Sequence, residues 1–501
     1  MRVLTSKAIA LLAVAALVLA ACGGGSGQPT AKGNTGASAP SSTSRPSTAG
    51  LSTPASPTSV LPSPAVSGST SLVSSSPLAV GGSHVCALPG DGTVVCWGDD
   101  SSGQLGDGQI KPSAPAGKVL TLQTVIANAA SGSGGGCVNL VADGSVVKCY
   151  GNASLSGVVA IAAGYTHTCA LLVDTTVKCW GSNAPITGGQ LGTAQRNGGT
   201  LGDGTAVDRS APVTVLAGPG QTKPLSGVVA LTAALGYTCA LLADTTAECW
   251  GDAPQAHSLT PITVMADATH PLTGILGVGA GDMHACARLS ASVVCWGSRL
   301  QGELGDQGPD SASAMPVKVT WGGGPRLGYM GAATDLAVGH DANVMENGFA
   351  VGHSCIMETV GASVACWGSN SVGQLGIGQP PDSGGYDFAV PVMASDGSTD
   401  FLTGVKTIAA GGAFTCALMN DGGVKCWGLN FGGQHGISAP MTVKTTTGGA
   451  LGGVVSIAAG DGITPTTEAG VLCAVVTGGG VYCWNNDSQA MAIVPGLVIA
   501  T

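Results

Sequence analysis

Charge is scarce in this chain: Asp, Glu, Lys and Arg make up 9% of its 501 residues. Basic residues are scarcer still, 18 against 28 acidic ones, for a formal net charge of −10. No basic stripe remains, which argues against nucleic acid as a partner, because phosphate binding needs clustered Lys and Arg. Aromatics amount to 4%, and most of the tryptophans recur at one repeat position. Helical periodicity is missing after the first twenty residues, so the body of the chain is not helical. The sequence has no G-x-S-x-G, no H-E-x-x-H and no phosphate loop. It also has no C-x-x-C spacing, which weakens a metal-thiolate reading of its cysteines. No metal and no cofactor is expected.

What the chain has is glycine, 82 residues of it, a composition suited to short strands separated by turns. Its N-terminus begins with a basic head, Arg2 and Lys7, followed by an apolar run from Ala8 to Ala20. That run is too short for a comfortable transmembrane helix and reads as an export signal over 1–21. Leu19-Ala20-Ala21-Cys22-Gly23 resembles the bacterial lipobox, and that resemblance implies cleavage before Cys22 and lipidation of it. Several acyl chains suffice for stable anchoring, so the membrane is an expected partner and the chain an exported lipoprotein on a cell surface or periplasmic face. Residues 22–77 form a Ser/Thr/Pro/Gly-rich tether with Lys32 and Arg45 as its charges. It buries too little apolar area to offset its ordering entropy. At about 50 residues its r.m.s. reach is roughly 40 Å.

The remaining sixteen of the 17 cysteines fall into eight close pairs. These are Cys86–Cys96, Cys137–Cys149, Cys169–Cys179, Cys239–Cys249, Cys286–Cys295, Cys355–Cys366, Cys416–Cys426 and Cys473–Cys483. Each pair sits on one predicted hairpin. In the third unit, Ala170 pairs with Lys178, Leu171 with Val177 and Leu172 with Thr176, which opposes Cys169 and Cys179 within disulfide reach. Closing so short a loop is worth about 2.7 kcal/mol as an upper-end figure. Export implies an oxidising setting that preserves such bonds. An aromatic follows each second cysteine, as in Cys179-Trp180-Gly181 and Cys149-Tyr150-Gly151. Alternation puts cysteine and aromatic on opposite faces of the strand, so both faces call for burial.

Upstream of each hairpin lies an apolar segment ending in glycine, such as Val158-Val159-Ala160-Ile161-Ala162-Ala163-Gly164. Downstream lies a glycine-bracketed turn, as in Gly103-Gln104-Leu105-Gly106, Gly189-Gln190-Leu191-Gly192, Gly302-Glu303-Leu304-Gly305 and Gly373-Gln374-Leu375-Gly376. A short strand such as Ala211-Pro212-Val213-Thr214-Val215 follows. Four strands per unit make the blade of a β-propeller. The whole pattern, apolar-Ala-Gly-x-x-His-x-Cys-Ala-Leu, then Asp-Gly-x-Val-x-Cys-Trp-Gly, then Gly-Gln-Leu-Gly-Asp-Gly, is similar to the regulator-of-chromosome-condensation repeat, in its cysteine-containing bacterial secreted version. The resemblance covers 78–501 and implies an all-β propeller, most often seven-bladed in that family. Eight hairpins suggest eight blades; a second unit too short for a full fourth strand keeps seven in play. The terminal Gly496-Leu497-Val498-Ile499-Ala500-Thr501 reads as a further first strand that pairs with the first unit and closes the ring.

His84, His167, His284 and His353 each stand two residues before a cysteine. Tyr237, Phe414, Gly135 and Val471 hold that place in other units, so a structural plug explains the position better than a metal ring. Asp-Gly turns such as Asp421-Gly422 serve hairpin geometry. Gly277-Val278-Gly279-Ala280-Gly281 falls on a first strand. Binding is expected at the loops where units differ, because variable loops on a rigid scaffold carry function. The candidates are Gln195, Arg196 and Asn197 in a third-to-fourth strand insertion of unit three, and Asp341, Asn343 and Glu346 in a first-to-second strand insertion of unit six. An up-and-down blade places both on one face. The expected function is recognition of an extracellular or periplasmic protein or glycan, without catalysis. A lyase or hydrolase with a site assembled from several blades is the alternative, since such a site leaves no local motif.

Overall fold

The computed structural model describes residues 76–110, short pieces between 140 and 151, and then 155–185, 197–322, 328–359, 362–379, 385–429, 437–460, 471–485 and 492–498, apart from 83, 90–91, 347–348 and 446–448. The export signal, Cys22 and the tether up to residue 75 lie outside the described residues, as does the Cys137–Cys149 pair.

Seven antiparallel blades form the body. Blade two shows the plan. Its first strand is Val158–Ala163, its second His167–Leu172, its third Val177–Gly181 and its fourth Arg209–Thr214, ordered in that sequence across the sheet. Cys169 opposes Cys179, Ala170 opposes Lys178 and Leu171 opposes Val177, the register that the cysteine spacing predicts. The hairpin turns at Asp174, whose carboxylate accepts from the Thr176 amide and hydroxyl, a side-chain turn that Asp supplies readily. The first strands of neighbouring blades lie against one another all the way round, from blade one to blade seven and back to blade one. They therefore line the axis, and the ring closes without an exposed central edge.

Burial on both faces of each hairpin has a simple cause. The disulfide of one blade faces the next blade, and the tryptophan faces the previous one. Cys169 and Cys179 share a core with Trp250 of blade three. Cys286 and Cys295 share one with Trp367, and Cys355 and Cys366 share one with Trp427. Trp180, Trp250, Trp296, Trp367 and Trp427 are all fully buried. Disulfides link Cys86–Cys96, Cys169–Cys179, Cys239–Cys249, Cys286–Cys295, Cys355–Cys366, Cys416–Cys426 and Cys473–Cys483, with Cα–Cα distances of 4.0–4.1 Å.

The structure differs from the sequence reading at two places. The second cysteine unit makes no blade of its own. Its described strands, Leu140–Ala142 and Ser145–Val147, pair only with each other. Tyr150–Gly151, which follows them, becomes the fourth strand of blade one, with Cys96 opposite Tyr150. The unit is thus an excursion between the third and fourth strands of blade one, and too few residues precede Val158 for anything larger. At the other end, Ala492–Val498 is the fourth strand of blade seven, with Val481 opposite Val494. It does not pair with the first unit. Closure runs instead through the first strands, Leu78–Val80 against Val454–Gly460.

Candidate recognition surface

One end of the ring carries the turns between second and third strands. The other carries the first-to-second and third-to-fourth connections, and it is here that the blades differ. In blades one, two, three, four and six the first-to-second connection is short, as between Ala163 and His167 or Ala280 and His284. In blade five the first strand runs Ala333–Glu346 and the second Phe349–Glu358. Their pairing extends from Gly339–His353 through Asp341–Val351 to Glu346–Phe349, with a register shift between Asp341 and Met345. Asp341 and Glu346 are thus strand residues, and so is Asn343 between them. The insertion is thus carried by two long paired strands, and residues 347–348 between them lie outside the described residues.

Blade two's insertion is anchored at both described ends. Asn183 is fully buried; its amide donates to Asp203 Oδ1 and the Thr205 carbonyl, and its Oδ1 accepts from the Leu201 amide. The Asn197 amide donates to the Asp252 carboxylate of blade three. Gln195 and Arg196 lie outside the described residues. The described ends of the blade-two insertion lie on the same face as the long blade-five strands emerge from, with blades three and four between the two blades.

The rest of this face is held by a repeated clasp. The glycine-bracketed turn of one blade reaches over the next. Trp180 Nε1 donates to the Gln104 carbonyl at 2.9 Å, and Trp367 Nε1 to the Glu303 carbonyl at 2.9 Å. In blade two Gly199-Thr200-Leu201-Gly202 takes this place, with Trp250 Nε1 donating to the Thr200 carbonyl at 2.8 Å. The similar Gly189–Gly192 stretch lies outside the described residues. Blade three has only a short turn, and there the Gln255 side chain accepts from Trp296 Nε1 instead.

The four histidines belong to these seams. His84, His167, His284 and His353 bond across to Thr168, Thr238, Ser354 and Thr415 of the following blades, at 2.6–2.8 Å. Thr168 and Thr238 donate their own protons to the Gln104 and Thr200 carbonyls. Their oxygens therefore accept from the imidazole Nε2–H, which assigns His84 and His167 as neutral Nε2 tautomers. Burial lowers His84 to about 3, helped by His167, and lowers His167 to about 4. Each histidine sits in its own seam, and among the described residues no three His, Cys, Asp or Glu side chains gather as a metal group.

Two further features escape the sequence reading. Glu303, 1% exposed, is pushed up to about 7 by burial, against the pull of the Gln301 amide. It is visible in sequence as the acid in a glutamine position. On the opposite face, Thr445, Leu451, Gly453, Val476, Thr477 and Tyr482 line a cleft of about 290 Å³ between blades six and seven. No local motif marks it.

Comparison with known proteins finds a repeat model that three stretches of the chain match. The Regulator of chromosome condensation (RCC1) repeat matches at residues 78–104, 158–184 and 405–434, the hairpins of blades one, two and six with their first strands. The Ultraviolet-B receptor UVR8 of Arabidopsis thaliana is 30% identical over 226 residues, 36% of this chain and 49% of that protein. The chain thus spans about half the length of this curated relative. Yeast RCC1 (Prp20), in its crystal structure with Kap60, matches with a TM-score of 0.52 at 17% identity over 77% of this chain and 78% of that one. Human WBSCR16 matches with a TM-score of 0.52 at 17% identity over 81% and 96%. These two likenesses concern the fold.

Proposed function

On the premise that this chain carries regulator of chromosome condensation repeats, we propose that its propeller is a recognition module, held on the outside of a bacterial membrane by a lipid on Cys22. It binds a protein or glycan through the face that carries the blade-two and blade-five insertions. The observation behind this reading is the blade-five hairpin. A connection of a few residues, as in the neighbouring blades, would serve the fold equally well, yet Ala333–Glu346 and Phe349–Glu358 project well beyond the blade. A rigid ring that carries one long paired hairpin offers a binding element whose backbone pairing is part of the fold, and such preorganisation lowers the entropic cost of association. The receptor named among its relatives is consistent with recognition as a use of this architecture. The blade disulfides suit an oxidising compartment, and among the described residues no helix is long and apolar enough to cross a membrane.

The test is capture by the immobilised propeller from cell-surface extracts. A variant lacking 341–348 should melt like the parent and lose the captured ligand at least tenfold. Unchanged capture of a verified ligand would overturn the assignment to this hairpin. Replacement of Cys22 by Ser should move the protein from the membrane to the soluble fraction; an unchanged distribution would overturn the anchor.

A further inference from the structure

Glu303 stands where blades one and five use Gln104 and Gln374 in their clasps. Each glutamine does two things. Its Oε1 accepts a nearby amide, from Ser102 or Val372. Its Nε2 donates to Asp99 or Ser369. Glu303 Oε2 reproduces the first bond, accepting from the Gln301 amide at 2.8 Å. Only a protonated carboxyl reproduces the second role, because an ionised one has no donor. A neutral acid thus keeps the glutamine's donor and an ionised one gives it up, while the Gln301 bond is available to both.

The surroundings make ionisation consequential. Glu303 is buried between blades four and five, and its own carbonyl receives the Trp367 indole of blade five. A Cβ at Gly302 would lie 2.5 Å from the Tyr386 carbonyl, and one at Gly352 would lie 3.5 Å from Glu303 Cγ. The clasp thus lies directly on blade five's second and fourth strands, and Gly352 is the partner of His340 at the base of the projecting hairpin. Buried Asp282 and His284 stand on the blade-four side of this seam, and the Asp387 backbone lies against Gly302 from blade five, while His353 turns to the next seam and bonds Thr415. Arg299, in the same loop as Glu303, is tied to Asp306 at 2.6 Å, so its charge is already paired.

We propose that Glu303 is a proton-controlled latch on the seam between blades four and five, closed when the carboxyl is neutral and loosened when it ionises, so that the footing of the blade-five hairpin depends on pH. Burial raises this carboxyl to about 7, which puts the transition near neutrality. The consequence for ligand binding rests on the hairpin being the recognition element; the latch itself does not.

Hydrogen exchange of the ligand-free protein tests the latch. Protection factors, which remove the intrinsic pH dependence of exchange, are compared from pH 5.5 to 8.5 for 299–306 and 350–357. The parent protein should lose about tenfold in protection per pH unit from 5.5 up to the midpoint in both segments, the slope for release of one proton on opening, and level off above it. Glu303→Gln should stay flat. Parallel profiles for parent and variant would overturn the proposal. The converse variant, Gln374→Glu, moves the acid to the seam between blades five and six and should carry the same dependence to Phe414–Met419. If no new dependence develops there, the latch is equally overturned, whatever the folding of Glu303→Gln. Failure of hairpin-dependent capture with the exchange slope intact would remove the recognition reading and leave the latch.

Discussion

At the scale of single residues, the seams titrate in opposite directions. His84 and His167 are neutral and buried, lowered to about 3 and about 4 from 6.5. The unfolded chain therefore takes up protons below pH 6.5 that the folded chain refuses. Stability falls as the pH drops from 6.5 towards those folded values, by about 1.4 kcal/mol per pH unit for each histidine. His167→Phe, chosen because Phe414 fills the same place fully buried in blade six, should flatten the acid limb by about that amount in denaturant titrations between pH 4 and 6. An unchanged slope would show that His167 titrates normally. Glu303 acts oppositely, because its folded value is raised from 4.5 to about 7. Its contribution is present below pH 4.5 and is lost as pH rises through 7. Glu303→Gln should therefore stabilise the protein at pH 8 by a few kcal/mol, on the order of 1.4 kcal/mol per unit of that rise, with little effect at pH 4.5. A destabilisation that is the same at both pH values would refute this assignment.

At the scale of elements, the hairpin and its staple are a local matter and the clasp is not. Cysteines nine, ten or eleven residues apart all end up opposed, so the turn absorbs the difference while strand alternation keeps the register. That is why the hairpins are legible in sequence: the partners are neighbours. The clasp joins Gln104 to Trp180 across 76 residues, and only the fold shows that these recurring motifs touch. It also explains the motif's last glycine. At Gly376, φ is +66° and a Cβ would sit 2.7 Å from Trp427 Nε1. Gly376→Ala should cost about 1–3 kcal/mol through overpacking and backbone strain. The same substitution at Gly397, which has a similar φ but nothing within 4 Å, should cost less; equal losses would assign the whole effect to the backbone. The staples are shielded as well: Cys169 and Cys179 are 0% exposed. Mild reductant without denaturant should leave them unalkylated by mass spectrometry. Replacing both by Ala should cost about 2.7 kcal/mol or less on the loop-entropy argument.

At the scale of the molecule, the blade count shows where sequence reading stops. Unit two has its pair of cysteines and its aromatic but is too short for a full fourth strand, so its sequence leaves seven or eight blades open. The decision comes from outside it, because blade one lacks a fourth strand until Tyr150–Gly151 returns to supply one. Strand direction tells from sequence which end of the ring a first-to-second or third-to-fourth connection leaves from, whereas the separation of blades two and five by blades three and four needed the closed ring. Closure itself is uneven. Seams one to two, two to three, four to five and five to six each carry a histidine bonded to a hydroxyl. Seam three to four has the Tyr237 hydroxyl donating to the His284 carbonyl at 2.6 Å. From blade six onward the same positions hold Phe414 and Val471, and the facing residues are Leu472 and Val85. The join of blade seven to blade one is an apolar contact of Leu78, Val80 and Val85 with Ala458, Val471 and Cys473, with the hydroxyls of Ser76 and Ser456 3.0 Å apart at its edge. Blade one also brings a short outer strand, Tyr150–Gly151. A mainly apolar seam, with its hydroxyl pair only part-buried at the edge, has less to lose on a small opening than one with a fully buried bond, so the ring should open there first. Native-state exchange in increasing denaturant should release the amides of Leu78–Val80 and Val454–Gly460 before those of Val158–Ala163 and Val228–Ala233. Simultaneous release of all four strands would mean that the ring unfolds as one unit and that the histidine bonds confer no difference between seams.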